Sequence, residues 1–437
     1  MKALNKCQKV ACDGILHAFL DQGVTGAKLI GEGGTGKTFS VMSIAKPLID
    51  AGMGILFIAP TNKAVKQLEK SAKEYGLPNE FIDFSTAHRA LGLAMLPDEE
   101  NKFAAQVGHG TLDLFDVVIC DEGSMLSRIV LQKYLLPRIQ ANNSKLLIMM
   151  DDMQLPPVKE SYPSAMDLFQ DHTYRLTTVE RQQRDSTILT LTGALRTAID
   201  GGKPFAHVEV GGDVEEIKTA EFTQAVVDAF DAETDLDKQR VLAWRNFRVN
   251  DINAAIRKKI YGPRAAKFEV GERIVTGAPI TNEEGETLLS TDEECVVEAV
   301  SESFVHDEKY GRFETLLLAL RPLYADTSQV LCHVLATEKE ESRMWEKCGE
   351  IATRAKKSSG SRYLWAEYHR FKDQFASIKY CYCITVHRSQ GSTYETAFVD
   401  VRDILANRKP SERKSLLYVA YSRPSKKLII NKKKYVA

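Results

Sequence analysis

Over the first 200 residues one pattern recurs: a short unbroken apolar run, a turn, then apolar positions at helical spacing. The runs are Ala27–Ile30, Gly54–Ala59, Asp116–Cys120 and Lys145–Met150. Runs without polar alternation suit strands covered on both faces, as in a parallel sheet. Their alternation with amphipathic helices predicts a doubly wound α/β domain. The first 25 residues read as an ordinary N-terminal helix. Asp13 and His17 interrupt the apolar stretch, and no small-x-small cleavage site follows.

Residues 89–112 break the rhythm with Pro97, Asp98, Glu99, Glu100 and Asn101, then Gly108, His109 and Gly110. They predict a protruding hairpin or loop between two strands. A second α/β pattern begins near Arg240 with strand Val241–Trp244, where Trp244 reads as core, and helix Asn250–Tyr261. It resumes near Lys379. In between, residues 266–335 alternate like strands, as in Cys295–Val300 and Glu314–Leu320, and residues 336–378 are polar and helical. The expected division is a first α/β domain over 1–88 and 113–195 with a hairpin insertion at 89–112. A second α/β domain spans 196–265 and 376–437, split by a small β-barrel-like domain with a helical extension at 266–375.

A length of 437 residues fits two to four such units. With 58 Lys+Arg against 59 Asp+Glu, the net charge of -1 excludes a histone-like cationic coat. A nucleic-acid groove stays open, because it needs only local positive charge. Apolar runs such as Leu146–Met150 fall far short of the roughly 20 residues of a spanning helix, so no membrane segment is expected. The eight cysteines contain no CxxC pair, which argues against zinc and for a reducing cytoplasm. Cys381 and Cys383 alternate with Tyr380, Tyr382 and Ile384 in the manner of strand packing.

Gly31-Glu32-Gly33-Gly34-Thr35-Gly36-Lys37-Thr38 fits G-x-x-x-x-G-K-[ST] completely. It follows a strand and opens a helix, the context the motif requires. Glycines allow backbone angles that aim successive N–H groups at phosphate oxygens, and the helix terminus adds attraction. Gly33, Gly34, Thr35 and Gly36 are therefore a candidate ATP cradle, with Lys37 on the β/γ-phosphates and Thr38 on Mg²⁺. The apolar strand ending in Asp121-Glu122 supplies the remaining carboxylates. Asp121 suits the metal, and Glu122 suits the attacking water.

Further segments resemble the ordered motifs of superfamily 1 DNA helicases. Ala59-Pro60-Thr61-Asn62-Lys63-Ala64 looks like their motif Ia, and Ser85-Thr86-Ala87-His88 like motif Ib. Asp151, Gln154 and Leu155-Pro156-Pro157-Val158 resemble motif III. Thr385-Val386-His387-Arg388-Ser389-Gln390-Gly391-Ser392-Thr393 resembles motif V, and Tyr418-Val419-Ala420-Tyr421-Ser422-Arg423 motif VI. The Dda/RecD-type branch is the nearest likeness. Met150, Gly123, Tyr421 and Ser422 depart from the usual motif residues without removing a group the chemistry needs.

The resemblance implies two RecA-like P-loop domains around one ATP. It gives Gln8 the adenine edge, Gln154 the γ-phosphate or attacking water, and Arg181 and Arg423 the developing transition-state charge. It implies single-stranded DNA contacts at Pro60, Thr61, Asn62, Lys63, Thr86 and His88, just past strand ends where N–H groups meet phosphates. Asn246, Thr385, His387 and Arg388 are the second-domain counterparts. In this branch the hairpin is a pin at the duplex junction, and Phe103 is the only aromatic residue in it, poised to stack on the last base pair or to pack the hairpin. Movement 5′→3′ follows from the branch alone.

Residues 354–372 mix Arg354, Lys356, Lys357, Arg362, Arg370 and Lys372 with Tyr363, Trp365, Tyr368 and Phe371. They read either as a base-stacking strip or as an amphipathic helix with Trp365 and Tyr368 in its packed stripe. The expected activity is ATP-dependent DNA unwinding with Mg²⁺, by a monomer acting on single-stranded DNA and duplex junctions. A single-strand-binding protein or replication proteins are the expected partners, in the cytoplasm of the cell or host. The alternatives are an ATPase switch that binds nucleic acid, or a protein-displacing translocase without processive unwinding.

Overall fold

The computed structural model describes residues 3–98, 101–106, 108–157, 160–179, 186–201, 210–282, 286–325, 328–358 and 362–432. The first domain contains β1 (Gly26–Gly31), β2 (Ile55–Ala59), β3 (Ile82–Thr86), β4 (Leu93–Asp98), β5 (Asn101–Gln106), β6 (Val117–Cys120), β7 (Lys145–Met150) and β8 (Thr173–Leu176). Six of them form a parallel sheet in the order β3-β2-β6-β7-β1-β8. The unbroken apolar runs become its interior strands because helices cover both faces. Leu29, Phe57, Ile119 and Leu147 face α1 (Lys6–Leu20), α2 (Lys37–Asp50) and α3 (Asn62–Tyr75). Ile30, Ile58, Cys120 and Ile148 face the other layer. β4 and β5 pair antiparallel as a hairpin, with Leu96 opposite Phe103 in register.

The second domain is also a parallel sheet. Its strands are β9 (Val214–Lys218) and β10 (Gln239–Ala243), then, beyond an insertion, β18 (Cys383–Thr385), β19 (Tyr394–Val399) and β20 (Pro424–Lys432), in the order β18-β10-β19-β20-β9. The insertion holds β11 (Arg273–Thr276), the short pair β12 (Ile280–Thr281) and β13 (Thr287–Leu289), then β14 (Glu294–Asp307), β15 (Gly311–Pro322), β16 (Val330–Leu335) and β17 (Ile378–Tyr380). Among the described residues it is an open antiparallel sheet, β16-β15-β14-β11-β17, rather than a closed barrel.

Two expected boundaries shift. Helix Thr187–Asp200 places Ile188, Leu191 and Leu195 in the core of the second domain with Leu416 and Ala420, so residues 187–195 pack with the second domain. β17 pairs with β11, so the inserted sheet runs past residue 375 to Tyr380. No helix among the described residues is long and apolar enough to cross a membrane, and all eight cysteines are free.

The helix Arg362–Lys372 resolves the two readings of residues 354–372 against base stacking. Trp365 and Tyr368 are 5% and 7% exposed. They pack with Phe313, Met344, Ile351 and Phe371, edge to face with each other at 5.6 Å. A buried ring has no face for a base, so both residues are corrected from strand contacts to core. Nor do the cations stand alone, since Glu367 accepts from Lys309 and lies 3.5 Å from Arg354, and Arg370 pairs with Asp307 at 2.9 Å. Trp365→Ala should cost about 3–5 kcal/mol of stability, read by denaturant unfolding. The folded variant should keep its affinity for single-stranded DNA.

Candidate nucleotide and nucleic-acid site

β1 runs directly into the glycine loop, and α2 begins at its end. Gly34 and Gly36 hold φ of +85° and +81°, a region open to glycine at little cost. The Lys37 ammonium bends back onto the carbonyls of Gly31, at 2.7 Å, and Glu32, at 3.1 Å. Two of its three donors thus meet the loop's own oxygens where phosphate oxygens would compete. Thr35 braces the loop through its hydroxyl on the Glu32 carbonyl at 2.8 Å.

Gln8 sits against the phosphate loop. It is 3% exposed; its side-chain oxygen accepts from the Asn5 N–H at 2.9 Å, and its amide donates to the Thr35 carbonyl at 3.0 Å. A Cβ on Gly36 would come within 2.4 Å of that amide. The capping box of α1 takes up one lone pair of the amide oxygen, and one amide N–H rests on the phosphate loop.

β6 ends at two half-buried acids, Asp121 and Glu122. Burial, with the adjacent Glu122 charge, holds the Asp121 carboxyl well above the usual carboxylate range. Glu122 adopts φ +50°, rare for a residue with a Cβ, and its Oε2 is buried without a partner. Two adjacent half-buried carboxyls, one with an unfilled acceptor, beside Lys37 and Thr38 are a donor set that suits a hard divalent cation and a water.

The cleft, of about 560 Å³, is lined from the first domain by Gly33, Gly34, Gly36, Lys37, Thr38, Asp121, Glu122 and Gln154. Gly391, Thr393 and Arg423 line it from the second. Arg423 is 4% exposed and donates to the carbonyls of Val419 and Ser392, at 3.1 Å each, and to the Ser422 hydroxyl at 2.8 Å. That occupies three of its five N–H groups. Gln390 donates to the Leu155 carbonyl at 3.1 Å and the Gln154 side chain at 3.4 Å. The Tyr418 hydroxyl donates to Asp151 at 3.0 Å. These contacts tie the motif III segment to the second domain. Arg181 lies outside the described residues, as does the side chain of Phe103.

Two groups escaped the sequence reading. Gln67, Ser71 and Tyr75 repeat every fourth residue on one face of α3 and extend the cleft beside Phe39 and Met42, a periodicity that was visible. Arg196 lies between Glu32, at 3.3 Å, and Asp152, at 2.9 Å, and nothing local in the sequence marks it.

The strand-contact candidates gather at carboxyl ends of neighbouring strands. Ala59 and Thr86 are register partners in β2 and β3, which brings Pro60 and Thr61 beside Thr86 and His88. Ala243 and Thr385 are register partners in β10 and β18, which brings exposed Asn246 beside Thr385 and His387. Thr61 and Thr86 cap helices with their side-chain oxygens. Burial lowers the pKa of both His88 and His387, so near neutral pH each offers a hydrogen bond rather than a charge. Asn62, Lys63 and Arg388 are not open. Asn62 donates to Glu293 at 2.7 Å, Lys63 lies 3.3 Å from Asp237 and from Glu294, and Arg388 pairs with Asp292 at 2.7 Å.

Residues 3–219 match the family described as AAA domain, and residues 380–430 the UvrD-like helicase C-terminal domain. The chain is 26% identical to the ATP-dependent DNA helicase dda of Enterobacteria phage T4, over 84% of this chain and 86% of that protein. It is 24% identical to an uncharacterized protein of Acanthamoeba polyphaga mimivirus, over 92% of this chain and 94% of that one. The fold is similar to Pif1 helicase from Bacteroides in complex with ADP-AlF3 and ssDNA, with a TM-score of 0.51 at 14% identity, covering 100% of this chain and 94% of that one. It is also similar to a Pif1 helicase in a study of forked duplex unwinding, with a TM-score of 0.53 at 14% identity, covering 98% and 92%.

Proposed function

The chain belongs to the Dda/Pif1 type of superfamily 1 helicases, ATP-hydrolysing DNA enzymes, and on that premise we propose that it couples Mg-ATP hydrolysis to 5′→3′ movement along single-stranded DNA and to opening of duplex at a junction. One observation carries the reading: the phosphate loop, the Asp121-Glu122 pair, Gly391 and Arg423 line a single cleft, although the last two come from the second domain.

Loop N–H groups and Lys37 hold the β/γ-phosphates. Thr38 and Asp121 would hold Mg²⁺, which neutralises phosphate charge when bound. Glu122 orients the attacking water with its free acceptor. Arg423, with Arg181 as a second guanidinium, neutralises charge that grows in the transition state. Gln154, bonded to Gln390, links the γ-phosphate position to the second domain. The site is complete only when both domains approach, so each catalytic cycle changes the spacing of the two strand-binding groups. Pro60, Thr61, Asn62, Lys63, Thr86 and His88 hold the strand on one side, and Asn246, Thr385, His387 and Arg388 on the other. Alternate gripping then moves the strand in one direction. The hairpin of β4 and β5 meets the junction as a pin, with Phe103 against the last base pair. The protein acts as a monomer and meets strands coated by a single-strand-binding protein.

An unwinding assay on duplexes with 5′ or 3′ tails, run beside ATP hydrolysis with and without single-stranded DNA, tests this reading. DNA-stimulated hydrolysis and opening of 5′-tailed duplex are expected. Opening of 3′-tailed duplex alone would reverse the direction, and hydrolysis indifferent to DNA would remove translocation. Phe103→Ala should slow unwinding by roughly five-fold or more, given the worth of a base–aromatic stack, with strand-stimulated hydrolysis near the parent rate. Parallel loss of both activities would make the ring a packing residue.

A further inference from the structure

Three side chains assigned to strand binding are held by one acidic turn of the insertion. Asp292 and Glu293 close the connection from β13 to β14, and Glu294 opens β14. The Asp292 carboxylate is 2.7 Å from the Arg388 guanidinium. Glu293 accepts from Asn62 at 2.7 Å, and Glu294 is 3.3 Å from Lys63. Asn62 and Lys63 open α3 in the first domain, whereas Arg388 follows β18 in the second. One turn from a third unit therefore reaches both halves of the proposed track.

The three carboxylates are not equivalent. Glu294 is an anchor, bonded to fully buried Arg240 at 3.0 Å and to Arg273 at 2.6 Å. The Asp292 carboxylate pairs with Arg388, and the Glu293 carboxylate meets Asn62 and the backbone N–H groups of Tyr324 and Ala325, but neither reaches a fully buried guanidinium. Asp292 sits at φ +63°, a region that costs most residues with a Cβ energy. Glu293 keeps one carboxylate oxygen buried without a partner. Burial raises both carboxyls above their ordinary range. Each would ionise more easily in water than where it stands.

A DNA phosphate offers what these carboxylates offer: an anionic oxygen that accepts from guanidinium and amide donors. We propose that Asp292 and Glu293 act as an internal phosphate mimic, occupying Arg388 and Asn62 when no strand is bound and yielding them to backbone phosphates when one enters. This rests on the reading of Asn62, Lys63 and Arg388 as strand contacts. The competitor keeps the donors ordered, and it lowers the apparent affinity for DNA by the fraction of molecules in which the turn holds them. A translocase benefits, because each grip must be released every cycle.

The double variant D292N/E293Q removes both charges at constant shape, and Asn tolerates the left-handed backbone at position 292. Its binding to an oligo-dT strand, measured by fluorescence anisotropy without nucleotide at fixed salt, should tighten roughly 5- to 10-fold. Half-maximal stimulation of hydrolysis should move to lower DNA concentration by a similar factor. Asp292→Asn alone frees only Arg388 and should give part of the gain, which keeps the test intact should the double variant fold poorly. Unchanged or weaker binding by folded variants overturns the proposal. Arg388→Ala separates the two levels of the argument. If it weakens binding while the charge-neutral variants bind no tighter, the turn is a structural tie and the strand reading stands. If it leaves binding unchanged, the strand reading fails at Arg388 and the mimic falls with it.

Discussion

Lys37→Ala should all but abolish ATP turnover, lowering kcat by about 10²–10³-fold or more, the loss expected when one charge-stabilising donor leaves a preorganised site. Its ammonium is the only side-chain cation of the loop, and it already rests on the Gly31 and Glu32 carbonyls beside the acid pair. Truncation removes charge from the β/γ-phosphate position but takes nothing from the sheet, whose core at β1 is Ala27, Leu29 and Ile30. Thermal unfolding should therefore stay close to that of the parent. Strand affinity should survive too, because the proposed contacts lie at the ends of β2, β3, β10 and β18. Steady-state hydrolysis, melting and oligo-dT binding on one preparation check this. Hydrolysis above a few per cent of the parent rate would remove Lys37 from its assigned role.

Arg423→Ala should lower kcat by roughly 10³-fold or more, on the scale of a lost arginine finger, with a much smaller change in ATP binding. The guanidinium stands at the end of helix Pro410–Tyr421 and faces the loop across the domain boundary. Charge that grows only as the γ-phosphoryl departs gains most from it, which places the loss in kcat rather than in ground-state affinity. The side chain is also buried against Val419 and Ser392, so truncation carries a packing cost. Arg423→Lys separates the two effects by keeping charge without the planar fork. It should restore much of the melting temperature and little of the turnover. Single-turnover hydrolysis with a fluorescent nucleotide titration reads the split. A fall in nucleotide affinity equal to the fall in kcat/KM, at unchanged kcat, would make Arg423 a ground-state ligand.

The sequence by itself determined the two α/β halves and the nucleotide chemistry. Both are written over short spans. The phosphate loop is eight consecutive residues at a strand end, and Asp121-Glu122 closes another strand. Their geometry follows from backbone rules that act within a turn or two. The strands were legible because a parallel strand covered on both faces admits little but apolar residues, as from Lys145 to Met150. What only the tertiary structure decided is which partner each polar or aromatic side chain meets. Trp365 and Tyr368 read equally as base platforms or core until Phe313 and Met344 cover them. Gln8 could be a surface residue of the first helix until burial sets its amide on the Thr35 carbonyl. Asn62 meets Glu293 across 231 positions of chain, and no periodicity reaches that far. Hydrogen bonds and ion pairs between residues distant in sequence carry no signal along the chain, because any donor suits any acceptor that folding brings within about 3 Å.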